Sequence, residues 1–404
     1  MNNAHILLHL TLIKDLALGT IDKLVPRKPA TMAWPDIYSL SALDLVNTFK
    51  LKPPTAEKIY AGLQNKQLLE NELALIKRHS ISWTTVLDAN YPALLGHIQA
   101  PPAVIYWQGS AINDADKKIA IVGSRLAASY AEEVIDHMVP LLVENGWAVV
   151  SGGAAGADTM AHKATLAAKG KTIVVVGTGL LECYPKKNMA LFEHVVAKGG
   201  TILSIFPLAT ESNPFNFPAR NRVISGLSRG CVVVQAADKS GALITARFAL
   251  EQGREVFAVP GLVNDDLSYG CHALIQQGAK LVTGAADIVV EFGETLPTQE
   301  SGEEETKSEV QTNNRLVTKL SKIKDTGKQP ALQKPQEEQL AFVEIDETTP
   351  EGKIIRACAR PCTVDDLLEI SSLPLGTLQS LLFDLQLNDK LVQTMTGMWQ
   401  ISQK

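Results

Sequence analysis

Apolar positions divide the chain into blocks of different period. Residues 1–110 carry apolar side chains at helical spacing, as in Leu40, Leu43, Val46 and Phe49, and predict a mainly helical domain. Its first stretch, Ile6-Leu7-Leu8, Leu10 and Leu12-Ile13, is broken by His5, His9, Lys14 and Asp15. Lacking a basic leader and a small-residue cleavage site, it reads as a helix and not as a signal peptide. The segment 88–109 differs: Asn90-Tyr91-Pro92 and Ala100-Pro101-Pro102 predict turns leading into a short apolar run over 103–107.

Over residues 111–293, short and nearly all-apolar runs alternate with helical patterns. Strands are predicted over 119–122, 148–151, 172–176, 201–205, 231–235 and 255–259. Helices are predicted over 129–144, 158–168, 187–198, 220–227 and 243–252. Strands apolar on both faces and alternating with helices predict a doubly wound, Rossmann-like parallel sheet covered on both sides. Periodicity fades over 294–349, where Glu303-Glu304-Glu305 precedes a Lys-, Gln-, Ser- and Thr-rich stretch that reads as a flexible linker. In 350–404, helices are predicted over 353–359 and, capped by Thr363, over 364–369. A third carries Leu375, Leu378, Leu382 and Leu385 on one face, and Leu391-Val392 and Met398-Trp399-Gln400-Ile401, joined through Gly397, read as a hairpin. Three helices and a hairpin predict a winged helix.

Composition narrows the chemistry. With 404 residues, two or three domains are expected, and a net charge of −5 means that any anion site is local. Cys183, Cys231, Cys271, Cys358 and Cys362 are scattered and odd in number, which suits reduced thiols in a cytoplasmic chain. No second ligand pair follows Cys358 and Cys362, so no metal is expected, and no apolar run is long enough to span a membrane.

In an open parallel sheet, ligands sit beyond the carboxyl ends of the strands. Those ends carry Gly123-Ser124-Arg125, Ser151-Gly152-Gly153, Gly177-Thr178-Gly179, Phe217-Pro218-Ala219-Arg220-Asn221-Arg222, Lys239-Ser240-Gly241 and Pro260-Gly261. The glycines are read as letting a ligand approach backbone amides at helix N-termini, and Arg125, Arg220 and Arg222 as forked donors for phosphate. Each glycine turn also has a plain reading as a tight turn. The first turn lacks the G-x-G-x-x-G order, the second strand lacks a ribose-binding acid, and no phosphate-binding G-x-x-x-x-G-K-[ST] occurs, so no nucleotide cofactor is expected. Asp158 and His162, one helical turn apart, read as a buried or capping Asp–His pair more readily than as an acid/base pair.

These segments resemble the DNA-processing protein A family (DprA, also called Smf). The resemblance is carried by Ile121-Val122-Gly123-Ser124-Arg125, the run from Ser151-Gly152 through Gly156, Asp158, Ala161 and His162, and Tyr184-Pro185 with Asn188. It continues through Phe217-Pro218-x-Arg220-Asn221-Arg222, Ser240-Gly241 with Thr245, and Val259-Pro260-Gly261, and reaches back to Asp88-x-x-Tyr91-Pro92 and Pro101-Pro102. The resemblance implies a non-enzymatic binder of single-stranded DNA that protects incoming strands in natural transformation and loads the recombinase RecA. It implies DNA contacts at Arg125, Arg220, Asn221 and Arg222, a pocket lined by Gly123, Ser124, Gly152, Gly153, Phe217, Ser240 and Gly241, and basic residues at Lys186 and Lys187. It also implies a homodimer, through a face carrying His272, Leu274, Ile275 and Leu281. Ala155 stands where the family has an arginine, Ile205 and Gln235 where it has glutamates, and His272 where asparagine is usual. The third predicted C-terminal helix has no lysine or arginine, so that domain is read as a protein-contact or accessory module. The competing reading is a nucleotide-processing hydrolase similar to the phosphoribohydrolases, although the segment 240–245 lacks the glutamate of their signature.

Overall fold

The computed structural model describes residues 2–14, 16, 18–295 and, apart from 361, 372, 388, 389 and 394–397, residues 349–401. The linker expected over 294–349 therefore lies almost wholly outside the described residues, as does Gly397 of the expected hairpin turn. Two compact units emerge, 1–297 and 298–404.

The first unit opens with helices α1 (Asn3–Thr11), α2 (Leu18–Arg27), α3 (Ala42–Phe49), α4 (Pro53–Gln64) and α5 (Lys66–Arg78). Strand β1 (Ser82–Thr85), the short helix α6 (Ala93–Gly96) and strand β2 (Val104–Gly109) follow. The remaining strands are β3 (Lys117–Val122), β4 (Trp147–Ser151), β5 (Thr172–Val175), β6 (Thr201–Ser204), β7 (Gly230–Val233), β8 (Glu255–Ala258) and β9 (Lys280–Leu281). Between them run α7 (Ser129–Glu144), α8 (Ala157–Ala167), α9 (Met189–Ala197), α10 (Asn216–Gly226), α11 (Gly241–Glu251) and α12 (Tyr269–Gln276), and α13 (Ala285–Glu291) closes the unit.

All nine strands form one sheet in the order β1-β2-β6-β5-β4-β3-β7-β8-β9. From β6 to β9 every pairing is parallel, whereas β2 joins β6, and β1 joins β2, antiparallel. Alternation within each strand divides the core. Ala120, Val122, Cys231, Val233, Val256 and Ala258 face one layer of helices. Ile119, Ile121, Val232, Val234, Phe257 and Val259 face the other. That two-sided burial is why the strands carry no polar face. The chain winds outward in opposite directions from β3 and β7, so the topological switch point lies between them.

The sheet begins earlier than residue 111. Strand β2 comes from the segment read as turns and a short apolar run, β1 from the block before it read as mainly helical, and Val104 and Tyr106 of β2 pack under the N-terminal helices with Ile6, Leu10, Phe49 and Ile59. Glu72 of α5 accepts a 2.8 Å bond from the Leu208 amide beyond β6, which ties the helical layer to the sheet.

The second unit holds α14 (Pro350–Ala357), α15 (Val364–Ser371) and α16 (Leu375–Leu387), with β10 (Leu391–Gln393) antiparallel to β11 (Trp399–Ile401). Thr363 caps α15: its hydroxyl accepts from the Asp366 amide at 3.2 Å, and Asp366 accepts from the Thr363 amide at 3.0 Å. Leu378, Leu382 and Leu385 are buried with Ile354, Leu367 and Trp399. The side chain of Leu375 lies outside the described residues.

Candidate functional site

The carboxyl ends of β3 and β7 border a cleft of about 720 Å³. Its lining brings together Gly123, Ser124, Arg125, Phe217, Arg220, Asn221, Ser240 and Gly241, all expected from the sequence. Asp158, Tyr184, Lys239, Ile244 and Leu267 line it as well.

The β3 turn is held from below. The Ser124 amide donates to the Gln235 carbonyl at 2.7 Å, and the Ala157 amide to the Ser124 carbonyl at 3.1 Å. The Ser124 hydroxyl accepts from the Leu126 amide at 3.0 Å, and the Gln235 side-chain oxygen accepts from the Ala128 amide at 2.9 Å. A locked turn thus leaves Arg125 and Leu126 exposed at the rim. Across the switch point, Ser240 caps α11, its hydroxyl accepting from the Ala242 amide at 3.3 Å, and exposed Lys239 stands one residue before that cap. The start of α11 therefore faces the cleft through Gly241, Ala242, Ile244 and Thr245, with the positive end of its helix dipole toward the cleft.

The third wall is α10. The helix was expected from residue 220, but it begins at Asn216, with Pro218 in its first turn where a missing N–H costs nothing. Arg220 and Arg222 therefore sit inside the helix, two residues apart, and project in different directions. Arg220 lines the cleft. The Arg222 guanidinium donates to the Gln99 carbonyl at 3.2 Å, outside the lining. Asn221 stays with the cleft, and its amide donates to the Gly241 carbonyl at 3.4 Å.

Arg220 is only 4% exposed. One guanidinium nitrogen lies 4.0 Å from the Asp158 carboxylate, and its Nε is buried with no hydrogen-bond partner among the described residues. Burial pushes the Asp158 carboxyl up, against the pull of Arg220, and brings Arg220 down to about 10. His162 does not pair with Asp158, contrary to the sequence reading: its Nδ1 bonds the Thr172 hydroxyl at 2.7 Å. Burial drives His162 down to about 3, with Arg220 adding to the shift, so it is neutral at physiological pH. Two cations stand near the Phe217 ring. The Arg125 and Arg220 guanidiniums are 5.3 and 5.7 Å from its ring centre, and the Tyr184 ring is tilted against it at 5.7 Å.

Most strand-end glycines are required by the protein's own packing. A Cβ on Gly152 would stand 1.4 Å from Arg220 Nη1 and 2.7 Å from Asp158 Oδ2. One on Gly153 would meet Val174 and Phe192, one on Gly177 the Phe217 ring, and one on Gly179 the Pro207 and Leu208 carbonyls. Only Gly241, among the strand-end glycines, has nothing within 4 Å of that position. Gly152 and Gly153 thus support the site from behind. Asn188 has a similar role, donating to the Gly153 carbonyl at 2.8 Å and to the Thr159 hydroxyl at 2.9 Å. Lys186 and Lys187, in a short turn after the cis Tyr184–Pro185 bond, are exposed beside the cleft without lining it. Of the expected pairing face, Leu274 is part of the core, and His272 Nε2 lies 3.1 Å from the Gly261 carbonyl. Leu281, on edge strand β9, is 46% exposed.

Sequence reasoning missed Lys239 as a site residue. The signal was its place at a strand end beside the Ser240 cap, the same rule that found Arg125. Tyr184 was visible only through the Tyr184-Pro185 segment.

The family model for DNA recombination-mediator protein A matches residues 82–293, more than half of the chain. The chain belongs to that family. The DNA processing protein DprA of Bacillus subtilis (strain 168) is 44% identical over 227 residues, covering 56% of this chain and 76% of the relative. The protein Smf of Synechocystis sp. is 33% identical over 312 residues, 74% of this chain and 75% of the relative. The X-ray structure of DNA processing protein A from Streptococcus pneumoniae superposes with a TM-score of 0.61 at 34% identity, covering 72% of this chain and 98% of that one. The matched region of the family model starts at Ser82, the first residue of β1, so the family core includes the two antiparallel strands. No helix among the described residues is long and apolar enough to cross a membrane.

Proposed function

We propose that this chain binds single-stranded DNA, without catalysis, in the switch-point cleft. The observation that carries the reading is the rim: exposed Arg125 and Lys239 flank the N-terminus of α11 above a lining rich in apolar and aromatic groups. Cations suit a phosphate backbone, and Phe217 and Tyr184 suit unstacked bases. Duplex DNA keeps its bases stacked inside and would leave that lining unused. Family membership supports DNA as the ligand. In this reading the chain acts in the cytoplasm as a homodimer, using the face of Ile275 and Leu281, and delivers its strand to RecA during natural transformation. The C-terminal unit is its accessory module, a winged helix in this reading.

A nucleotide hydrolase would need a carboxylate free to meet water or substrate. Asp158 is the one carboxylate in the lining, and it is buried opposite Arg220. The test is paired. Arg125→Ala and Lys239→Ala each weaken oligonucleotide binding about tenfold, the scale of one lost charged contact, in a fluorescence-anisotropy titration. Incubation with nucleoside monophosphates releases no base above a no-protein control. Parental binding by both variants, or turnover abolished by Arg125→Ala, refutes the proposal.

A further inference from the structure

We infer that Arg220 is a positioning residue that holds Phe217 as a stacking surface, and that it makes no phosphate contact of its own. The inference rests on the single-stranded DNA reading and divides the cleft's cations into two kinds. Arg125 and Lys239 are exposed at the rim. Arg220 is 4% exposed, which leaves its donors almost no surface to offer a phosphate. Apart from the edge where it meets the cleft, its surroundings are protein. Gly152 supplies the space its guanidinium fills, Asp158 stands 4.0 Å away, and the Phe217 ring centre lies 5.7 Å off.

The same geometry says what Arg220 is for. Phe217 is three residues earlier on α10, so one turn of helix carries both the ring and its support. The ring also lies over Gly177, where a Cβ would come within 3.0 Å of its edge. Packed on that glycine and flanked by two guanidiniums, the ring has little freedom to turn. A fixed ring is worth more to a ligand than a mobile one, because its ordering is not charged against binding. Burying a guanidinium whose Nε has no partner is costly, and Asp158 offsets only part of that cost. A side chain needed only to fill the α10 wall would be apolar. The buried cation matches instead the negative face of an aromatic ring.

Salt dependence separates the two kinds of cation. Each phosphate contact on a single strand contributes about 0.7 to the slope of log K against log salt. The full chain is titrated with oligo(dT) of about 20 nucleotides, longer than a typical single-strand site, and with an abasic strand of the same length, over a range of salt. The parent binds both strands. Arg125→Ala lowers the slope by about 0.7 on both. Arg220→Gln keeps the parental slope, loses about tenfold on oligo(dT), the effect of one stacked base, and loses less than about threefold on the abasic strand. Phe217→Leu reproduces that base-selective loss, and adding Arg220→Gln to it costs less than about twofold more, as expected of residues acting as a unit. Should Arg220→Gln fail to fold by circular dichroism, Arg220→Lys, which keeps a cation opposite Asp158, is read by the same slopes and the same two strands. A slope that falls with the Arg220 variant, an equal loss on the abasic strand, or additive losses in the double variant each overturn the inference. A parent that binds neither strand overturns the DNA reading itself.

Discussion

Two strand ends in this sheet carry glycine turns of similar appearance and opposite use. After β4, Gly152 leaves room for the guanidinium of Arg220, and the space is already full. After β7, Gly241 opens α11 with nothing near its missing side chain. The first region is closed, with Asp158, His162 and Arg220 all buried. The second is open, with Lys239 exposed and a helix N-terminus uncovered. A glycine beside a cleft therefore marks a close approach without saying whether a ligand or the protein itself approaches. The neighbours decide, and here they put the exposed cations on the β3 and β7 side and the buried supports on the β4 and α10 side.

The largest effect expected from this difference is that of Gly152→Ala. A methyl group there collides with Arg220 and Asp158, and expelling the guanidinium strips the partner from a buried carboxyl. A loss of about 3 kcal/mol in urea unfolding is expected, together with loss of binding. Gly241→Ala adds a methyl to open space at a helix start, so stability changes by less than about 0.5 kcal/mol, while the same methyl obstructs a ligand and weakens oligonucleotide binding. Equal destabilisation by the two substitutions would remove the distinction between closed and open turns.

The closed region also sets a pH dependence. His162 is held neutral to about pH 3, against 6.5 for an unperturbed histidine. Between those values the unfolded chain binds a proton that the folded chain refuses, so stability is lost as pH falls through this window. One group contributes about 2 kcal/mol between pH 7 and pH 5. His162→Gln should remove that part of the acid sensitivity, read from urea midpoints at the two pH values. An unchanged difference would mean that His162 protonates freely in the fold.

Much of this was legible in the chain itself. Six of the seven parallel strands, β3 to β8, and helices α7 to α11 fall within a few residues of the ranges that periodicity predicts, because strands buried on both faces are apolar throughout and turn residues bound them, whereas the two-residue β9 was not foreseen. Ser82-Trp83-Thr84-Thr85 was not legible as a strand: four residues, mostly polar, carry no alternation strong enough to stand out. Arg125 was found because the end of a strand is a rule about position. The fates of Arg220 and Arg222 were not separable, since neither the start of α10 nor the clearance over Gly152 is written in spacing alone. Leu274 was assigned to a pairing surface because its apolar neighbours do not show which side of α12 the core occupies.

The smallest expected effect sharpens the same contrast within one helix. Arg222, held to the Gln99 carbonyl, lies outside the cleft. Arg222→Ala should shift oligonucleotide affinity by less than about twofold and leave its salt slope unchanged, since no phosphate contact is removed. A loss as large as that of Arg125→Ala would extend the interface past α10 to the side where Gln99 lies.

The most direct test of the account is the equilibrium binding of single-stranded and duplex oligonucleotides of one sequence across a salt series, with the parent beside Arg125→Ala. The account predicts that the parent favours the single strand at every salt concentration. It also predicts that log affinity falls linearly with log salt and that Arg125→Ala flattens the single-strand line by about 0.7. Equal affinity for duplex and single strand, or an Arg125→Ala line that coincides with the parent's, would contradict it.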